Sequence, residues 1–490
     1  MISCKQARPL AVAAFCAAIL ALAISDASSS NAAAAGLFGT PTAAEMRAAP
    51  PRSPSAGTMR DGLRGPSAQA VLRDRLVSLN ITELARIVPL GADTAGNRLD
   101  RAKNLNGNVT LDLFPGISLT AQRTDIEAPD EGGFIWVGED FGSRHAFVTL
   151  VISNNEILGQ IQTGGKLYSI EPVSGPLHRV IEIDQDKIPD DMHPPRLPGG
   201  DEKRSEAPAP SPDAALAVAK TTINVLVAHT ATARAEVGTA NQMQTRINLA
   251  ISLANQAFNR SGVKIVFARV GGANEISNYN DVGLYGTGSF NNYNGVLCDL
   301  SGFNNAGPCA GIGNSNANKF SNLRTKRNTV DADLVVLMRK QGVACGIAWE
   351  PNLNGTVLAA DHIYGFSVVT ATPFYGCIES NTLAHEAGHN QGLNHDRVQH
   401  KIDYGLPTPP ASQYNFGHVN TNKNFFTIMS YQSNCPGCTR IPYFSTPLKK
   451  YPNATTGTPV GVPTGVGGNY GAADAVKRLN LNRSIIGGYR

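Results

Sequence analysis

Between residues 382 and 396 the chain reads Thr-Leu-Ala-His-Glu-Ala-Gly-His-Asn-Gln-Gly-Leu-Asn-His-Asp, and this spacing leaves the local structure little freedom. On a helix, His385 and His389 lie one turn apart, so their imidazoles point the same way with Glu386 beside them. Gly392 can take the left-handed conformation that ends a helix, so the chain turns and His395 returns to the same point. Three imidazoles on one point, with a fourth position left for water, are the ligand set of a catalytic zinc ion. A bare His-Glu-x-x-His match is common by accident. With Gly392 and His395 added, the chance expectation for this composition falls to the order of 10⁻⁵, so those two residues carry most of the specificity.

The reaction follows from the residues. Zinc lowers the pKa of its bound water toward about 7 and polarises a scissile carbonyl. Glu386 takes the water's proton as general base and passes it to the leaving amine. Serine or cysteine nucleophilic catalysis is disfavoured, because no serine elbow is evident and the cysteines past the leader read as paired.

The leader is the first targeting signal. Lys5 and Arg8 precede an apolar run from Leu10 to Ile24 that ends in small residues, the pattern of a secretory signal peptide over residues 1–27. Some fifteen apolar residues fall short of the roughly 20 that a spanning helix needs. An exported, released protein is expected, with no membrane anchor after signal removal. Of eight cysteines, Cys4 and Cys16 lie in the leader, and six remain in the C-terminal half. Sequence proximity favours Cys298 with Cys309, Cys345 with Cys377, and Cys435 with Cys438.

The remainder divides near residue 211. Residues 28–211 hold 18 Lys and Arg against 23 Asp and Glu, while 212–490 hold 22 against 14. The overall charge of +4 hides this asymmetry, and an acidic segment docked on a basic domain would produce it. Residues 28–75, rich in Ala, Ser, Pro and Arg, read as largely disordered. From about 107 to 185 short alternating strands predict an antiparallel β domain: Val109–Leu113, Gly133–Val137, His145–Ile152, Glu156–Thr163, Lys166–Ile170 and Arg179–Ile183. That domain has no cysteine and no catalytic constellation, which fits a propeptide over 28–211. A Pro-rich linker, about 194–212, offers a cleavage site near Lys203-Arg204 or later. Beyond it, a strand at 221–228, a helix over 232–260 and a strand at 263–270 open an α/β sheet, with further strands at 333–339 and 366–370. Residues 271–330 read as a long loop region. The expected fold is therefore an α/β (α+β) catalytic domain over 212–490 with a mixed sheet, preceded by the β propeptide.

The run from His385 to His395 resembles the long zinc motif of the metzincins, with Asp396 following as in the reprolysin (adamalysin) branch. Thr427-Ile428-Met429-Ser430-Tyr431 looks like that family's Met-turn, which implies a floor of Met429 beneath the zinc ligands. Tyr431 is closer to the astacin and serralysin pattern, which makes it a candidate for oxyanion stabilisation. The resemblance covers roughly residues 220–490 and is greatest to bacterial reprolysin-like enzymes of the peptidyl-Asp metallopeptidase type. It implies cleavage before acidic residues, and Arg440, in the segment that forms the pocket wall in that family, is the candidate substrate-binding residue. One zinc ion is the implied cofactor; calcium has no support in the sequence. Protein or peptide substrates and the propeptide as inhibitor are the expected partners, with no nucleic acid and a monomeric state. Because residues 28–211 lack a cysteine, Asp191 or His193 is the expected group on the open zinc position. A non-catalytic adhesin on a metalloprotease scaffold and a zinc hydrolase of non-peptide amides are the competing readings.

Overall fold

In a computed structural model of the chain, the described residues are 36–48, 70–90, 95–140, 145–197, 199–200, 204–205, 219–279, 290–303, 306–312, 317–340, 343–452 and 455–490. The expected signal peptide and most of the Pro-rich linker lie outside them.

Alternating strands build one nine-stranded antiparallel sheet in the N-terminal part. They are β1 (Phe38–Gly39), β2 (Val71–Leu79), β3 (Asn108–Phe114), β4 (Ile117–Glu127), β5 (Phe134–Asp140), β6 (Ala146–Ser153), β7 (Glu156–Thr163), β8 (Lys166–Ser174) and β9 (Leu177–Ile183). Their spatial order is β1-β2-β9-β8-β7-β6-β5-β4-β3, so from β3 to β9 each strand pairs with the next in sequence. Asn154 and Asn155 turn β6 into β7, and Gly164 and Gly165 turn β7 into β8, all four with positive φ. Two consecutive positive-φ residues give the turn whose twist matches that of the strands.

Two of these strands correct the sequence reading. β4 is absent from the expected strands, and β2 overlaps the stretch read as disordered, where β1 and the helix Ala43–Ala48 are also ordered. β2 escapes notice because it is charged: Arg73 reaches Glu182 at 2.6 Å, and Asp74 pairs with Arg179. Its partner strand lies more than a hundred residues later, so no local pattern announces it.

The middle of the sheet, β5 to β8, is buried on both faces. Trp136, Val148, Leu150 and Ile161 pack with Leu84 and Ile87 of the helix Ile81–Ile87. On the opposite face, Ile135, Val137, Val151 and Leu158 join Met243, Ile247, Ile251 and Ala254 of the helix Ala240–Ser261 in one core.

The second sheet contains β10 (Thr221–Thr230), β11 (Ile265–Val270), β12 (Glu275–Ile276), β13 (Leu334–Arg339), β14 (Gly346–Ala348) and β15 (Phe366–Thr370). Its order is β11-β10-β13-β15-β14, with β12 also on β10. All pairings are parallel except that of β14, which lies antiparallel to β15 at the edge. Every residue of β13 is buried, as expected of a parallel strand covered on both faces. The helix expected over 232–260 is two helices, because Gly238 takes φ 121° and Thr239 then opens Ala240–Ser261 with a capping box to Gln242. The region 271–330 is not all loop: the helices Phe290–Ser301 and Ser321–Thr329 lie in it, their Asn-rich sequences having read as turns.

Disulfides join Cys298 to Cys309, Cys345 to Cys377 and Cys435 to Cys438. No described helix is long and apolar enough to cross a membrane.

Candidate active site

The helix Thr382–Asn390 carries His385, Glu386 and His389, and the chain leaves it where Gly392 takes φ 90°. A β-carbon at Gly392 would stand 2.2 Å from the Gly355 carbonyl oxygen, so both the backbone conformation and the space demand glycine. A β-carbon at Gly388 would come within 2.7 Å of the Met429 sulfur. The buried Met429 thioether therefore lies against the turn that carries the two histidines. His395 follows in the short strand Asn394–Asp396.

The three rings meet at their Nε2 atoms, which are 3.1, 3.1 and 3.2 Å apart. Each Nδ1 faces an oxygen: His385 the Ile428 carbonyl at 2.7 Å, His389 the Leu393 carbonyl at 2.7 Å, and His395 the Asp403 carboxylate at 2.6 Å. An Nδ1–H that donates to such an oxygen leaves the lone pair on Nε2. Burial, and then the neighbouring imidazoles, hold His385 and His389 well below the usual histidine range, in the neutral form. Three buried lone pairs aimed at one another are repulsive unless a cation lies among them. Tetrahedral zinc at 2.0–2.1 Å from nitrogen sets its ligands roughly 3.3 Å apart, so the residues present fit that ion.

Carboxylates complete the site. Both oxygens of Glu386 and both of Asp191 are buried without a hydrogen-bond partner. Asp191, His385 and Glu386 offer ligand atoms within 4.8 Å of one another. Burial first, and then the Asp191 charge, raises Glu386 well above the usual carboxylate range, and burial pushes Asp191 up to about 6. Asp191 is held there by the backbone: Cys345 N–H donates to the Asp190 carbonyl at 3.2 Å, and Met192 N–H to the Gly346 carbonyl at 2.8 Å. The segment thus lies along the edge strand β14. The His193 ring lies 6.2 Å from that of Tyr404, and its Nδ1 is 3.2 Å from the Pro194 carbonyl oxygen.

The family model for metallo-peptidase family M12, of the Reprolysin_5 type, matches residues 219–445. Residues 219–445 are a reprolysin-like metallopeptidase domain. The peptidyl-Asp metalloendopeptidase of Stenotrophomonas maltophilia strain R551-3 is 27% identical over 424 residues, 80% of this chain and 85% of the relative. That of strain K279a is 29% identical over 423 residues, again 80% and 85% of the two chains. These alignments are longer than the metallopeptidase domain and extend into the residues before it. Among solved structures, metalloproteinase-II from Bacteroides fragilis aligns with 69% of this chain and 86% of its own at 12% identity and a TM-score of 0.33, too low to bear on the fold.

The other expected residues of the metallopeptidase site gather around it. The Tyr431 ring lies 4.2 Å from that of His395, and its hydroxyl donates to the Asp191 carbonyl. Arg440 donates to the carbonyls of Ser380 and Ser430 at 3.3 and 3.0 Å, and its Nη2 lies 3.6 Å from Asp191 Oδ2. Asp396 accepts from the backbone N–H groups of Val398 and Gln399, both at 3.1 Å, and so caps the helix Arg397–Tyr404. It also takes Asn434 Nδ2 at 3.0 Å, tying that helix to the loop after Met429. Sequence reasoning missed Asp403. Its only local signal is its place near the end of the helix that Asp396 begins, eight residues after His395.

Proposed function

We propose that this chain is the secreted precursor of a zinc-dependent endopeptidase. The observation that carries the reading is the convergence of three histidine Nε2 atoms beside a buried, unpartnered Glu386 carboxylate. His385, His389 and His395 would hold the ion, which when bound acidifies a water and polarises the scissile carbonyl. Glu386 accepts the water's proton and carries it to the leaving amine. Tyr431, whose hydroxyl donates to a carbonyl oxygen in the cleft, is the donor for the developing oxyanion. Arg440 orients an acidic side chain of the substrate, a preference that agrees with the names of the relatives.

In the precursor, residues 28–211 act as the inhibitor, with Asp191 as the group that fills the cleft: its carboxylate lies beside Glu386 and 3.5 Å from His385 Nδ1, next to the three-histidine cluster rather than at the point where the Nε2 atoms meet. Its burial against His385, Glu386 and Arg440 supports that assignment over His193.

Casein hydrolysis by the processed protein tests the reaction. Chelation and Glu386→Ala should each abolish it; hydrolysis that survives Glu386→Ala rejects the mechanism, and a processed, zinc-loaded protein inert on casein favours the adhesin or the non-peptide amidase. Profiling on a peptide library should show cleavage before Asp or Glu that weakens in Arg440→Ala. Asp191→Ala should release activity from the intact precursor, and a variant as latent as wild type refutes the plug.

A further inference from the structure

We propose that Asp403 is a positioning residue for the metal site, acting through His395; this rests on the zinc reading above. The three ligands are not held alike. His385 and His389 sit on one helix and give their Nδ1 atoms to backbone carbonyls. His395 lies beyond that helix, on the chain that returns after Gly392, where no helical backbone fixes its direction. Its Nδ1 is the one of the three that hydrogen-bonds a carboxylate, Asp403 Oδ2 at 2.6 Å, with the two side chains 1% and 4% exposed; Asp191 Oδ2 stands 3.5 Å from His385 Nδ1, which is bonded to the Ile428 carbonyl instead.

The sequence builds this contact in steps. Gly392 reverses the chain, His395 reaches the other two rings, and Asp396 immediately caps a new helix. That helix carries Asp403 back behind the His395 ring. Gln399, one turn earlier on it, donates to the second oxygen, Asp403 Oδ1, at 2.7 Å. Gln399 in turn accepts from Asn434 at 3.2 Å, so the carboxylate is fixed from both sides.

A carboxylate behind a histidine ligand does two things. It locks the Nδ1–H tautomer, so that Nε2 presents its lone pair, and its charge makes that lone pair a better donor. In a buried site both effects are larger than in water. Asp403 therefore supplies by hydrogen bonding the rigidity that the helix gives the other two ligands, and the ligand that is freest along the chain receives the strongest anchor.

The test is zinc affinity of the full-length chain, measured by competition with a chelator, for wild type, Asp403→Asn and Asp403→Glu. Asp403→Asn should bind zinc 10–100-fold more weakly while the metal-free protein melts at the wild-type temperature. The cobalt-substituted protein should show a shifted visible spectrum, which a purely structural role would not produce. Asp403→Glu, which keeps the charge, should recover part of the affinity. Unchanged zinc affinity and cobalt spectrum in Asp403→Asn overturn the inference. If that variant does not fold, Asp403→Glu decides: a shifted cobalt spectrum supports the inference and an identical one rejects it. A wild-type chain that binds no zinc defeats the metal reading itself, whereas a wild type that binds and an Asp403→Asn that binds equally defeat only the role of Asp403.

Discussion

The two sheets reach stability by different routes. In the nine-stranded sheet, β3 to β9 are joined in sequence order by tight turns, so most of its contacts are local and no cysteine is needed. In the sheet led by β10, each parallel neighbour arrives after a long crossover, and all three described disulfides belong to that part of the chain. Closing long loops costs chain entropy before the pairing returns anything. Cross-links reduce that cost by restricting the unfolded chain. The meander can organise itself; the crossover sheet is stapled and leans on its neighbour.

Where the two parts meet, charge is buried as well as hydrocarbon. Arg246 on the helix Ala240–Ser261 holds Glu171 of β8 at 2.6 Å and Glu379, just before the histidine helix, at 3.4 Å. Ser169 donates to both carboxylates. Further out, Gln160 and Gln162 of β7, on the same face of the sheet, donate to the carbonyls of Glu379 and Arg440. Polar residues at alternate positions of an otherwise apolar face thus mark the side of the sheet that meets the metallopeptidase domain.

Three experiments press on this contrast, beginning with the largest expected effect. Arg246→Met leaves two carboxylates buried together without a cation, and should cost about 3–5 kcal/mol in denaturant unfolding of the full chain; a loss no larger than that of an exposed arginine would show that the junction does not depend on the cluster. Replacing Cys345 and Cys377 by alanine opens a loop of 32 residues and should cost about 3–4 kcal/mol. Hydrogen exchange should then rise in β13 to β15 and stay low in β5 to β8; equal loosening of both sheets would deny that they differ in their need for staples.

The smallest effect concerns pH in the nine-stranded sheet. Burial, and then Asp125, pushes Glu127 at the end of β4 up to about 7, whereas the unfolded chain ionises near 4.3. The folded state therefore binds the extra proton between those values, so its stability falls as pH rises through that window and levels off above about 7. Glu127→Gln should remove this fall, leaving a variant equal to wild type near pH 4 and more stable near pH 8; parallel curves at both values would place the carboxyl in water.

The legible parts of the fold were those with a local signature. β6, β7 and their turn follow from alternation and Asn154-Asn155, and β13 from a run of buried aliphatics. β2 was not legible, because Arg73, Asp74 and Arg75 are stabilised by residues of β9 and by the carbonyls of Asp112 and Leu113. The same division runs through the site. His385, Glu386, His389, Gly392 and His395 lie within eleven residues, where helix geometry fixes their directions. Asp191 and Arg440 come from segments nearly two hundred and some fifty residues from that motif.

What the sequence determined by itself was the convergence of three histidines beside a glutamate, since their spacing with one glycine admits few backbones. What only the tertiary structure decided was the company that site keeps. Whether Asp191 or His193 enters the cleft turns on the edge strand β14, which holds the backbone at Asp190 and Met192. Which carboxylate stands behind His395 turns on the path of one capped helix. Ligand spacing is a local property of the chain, whereas the group that meets a buried charge is set by packing between segments that no sequence window contains.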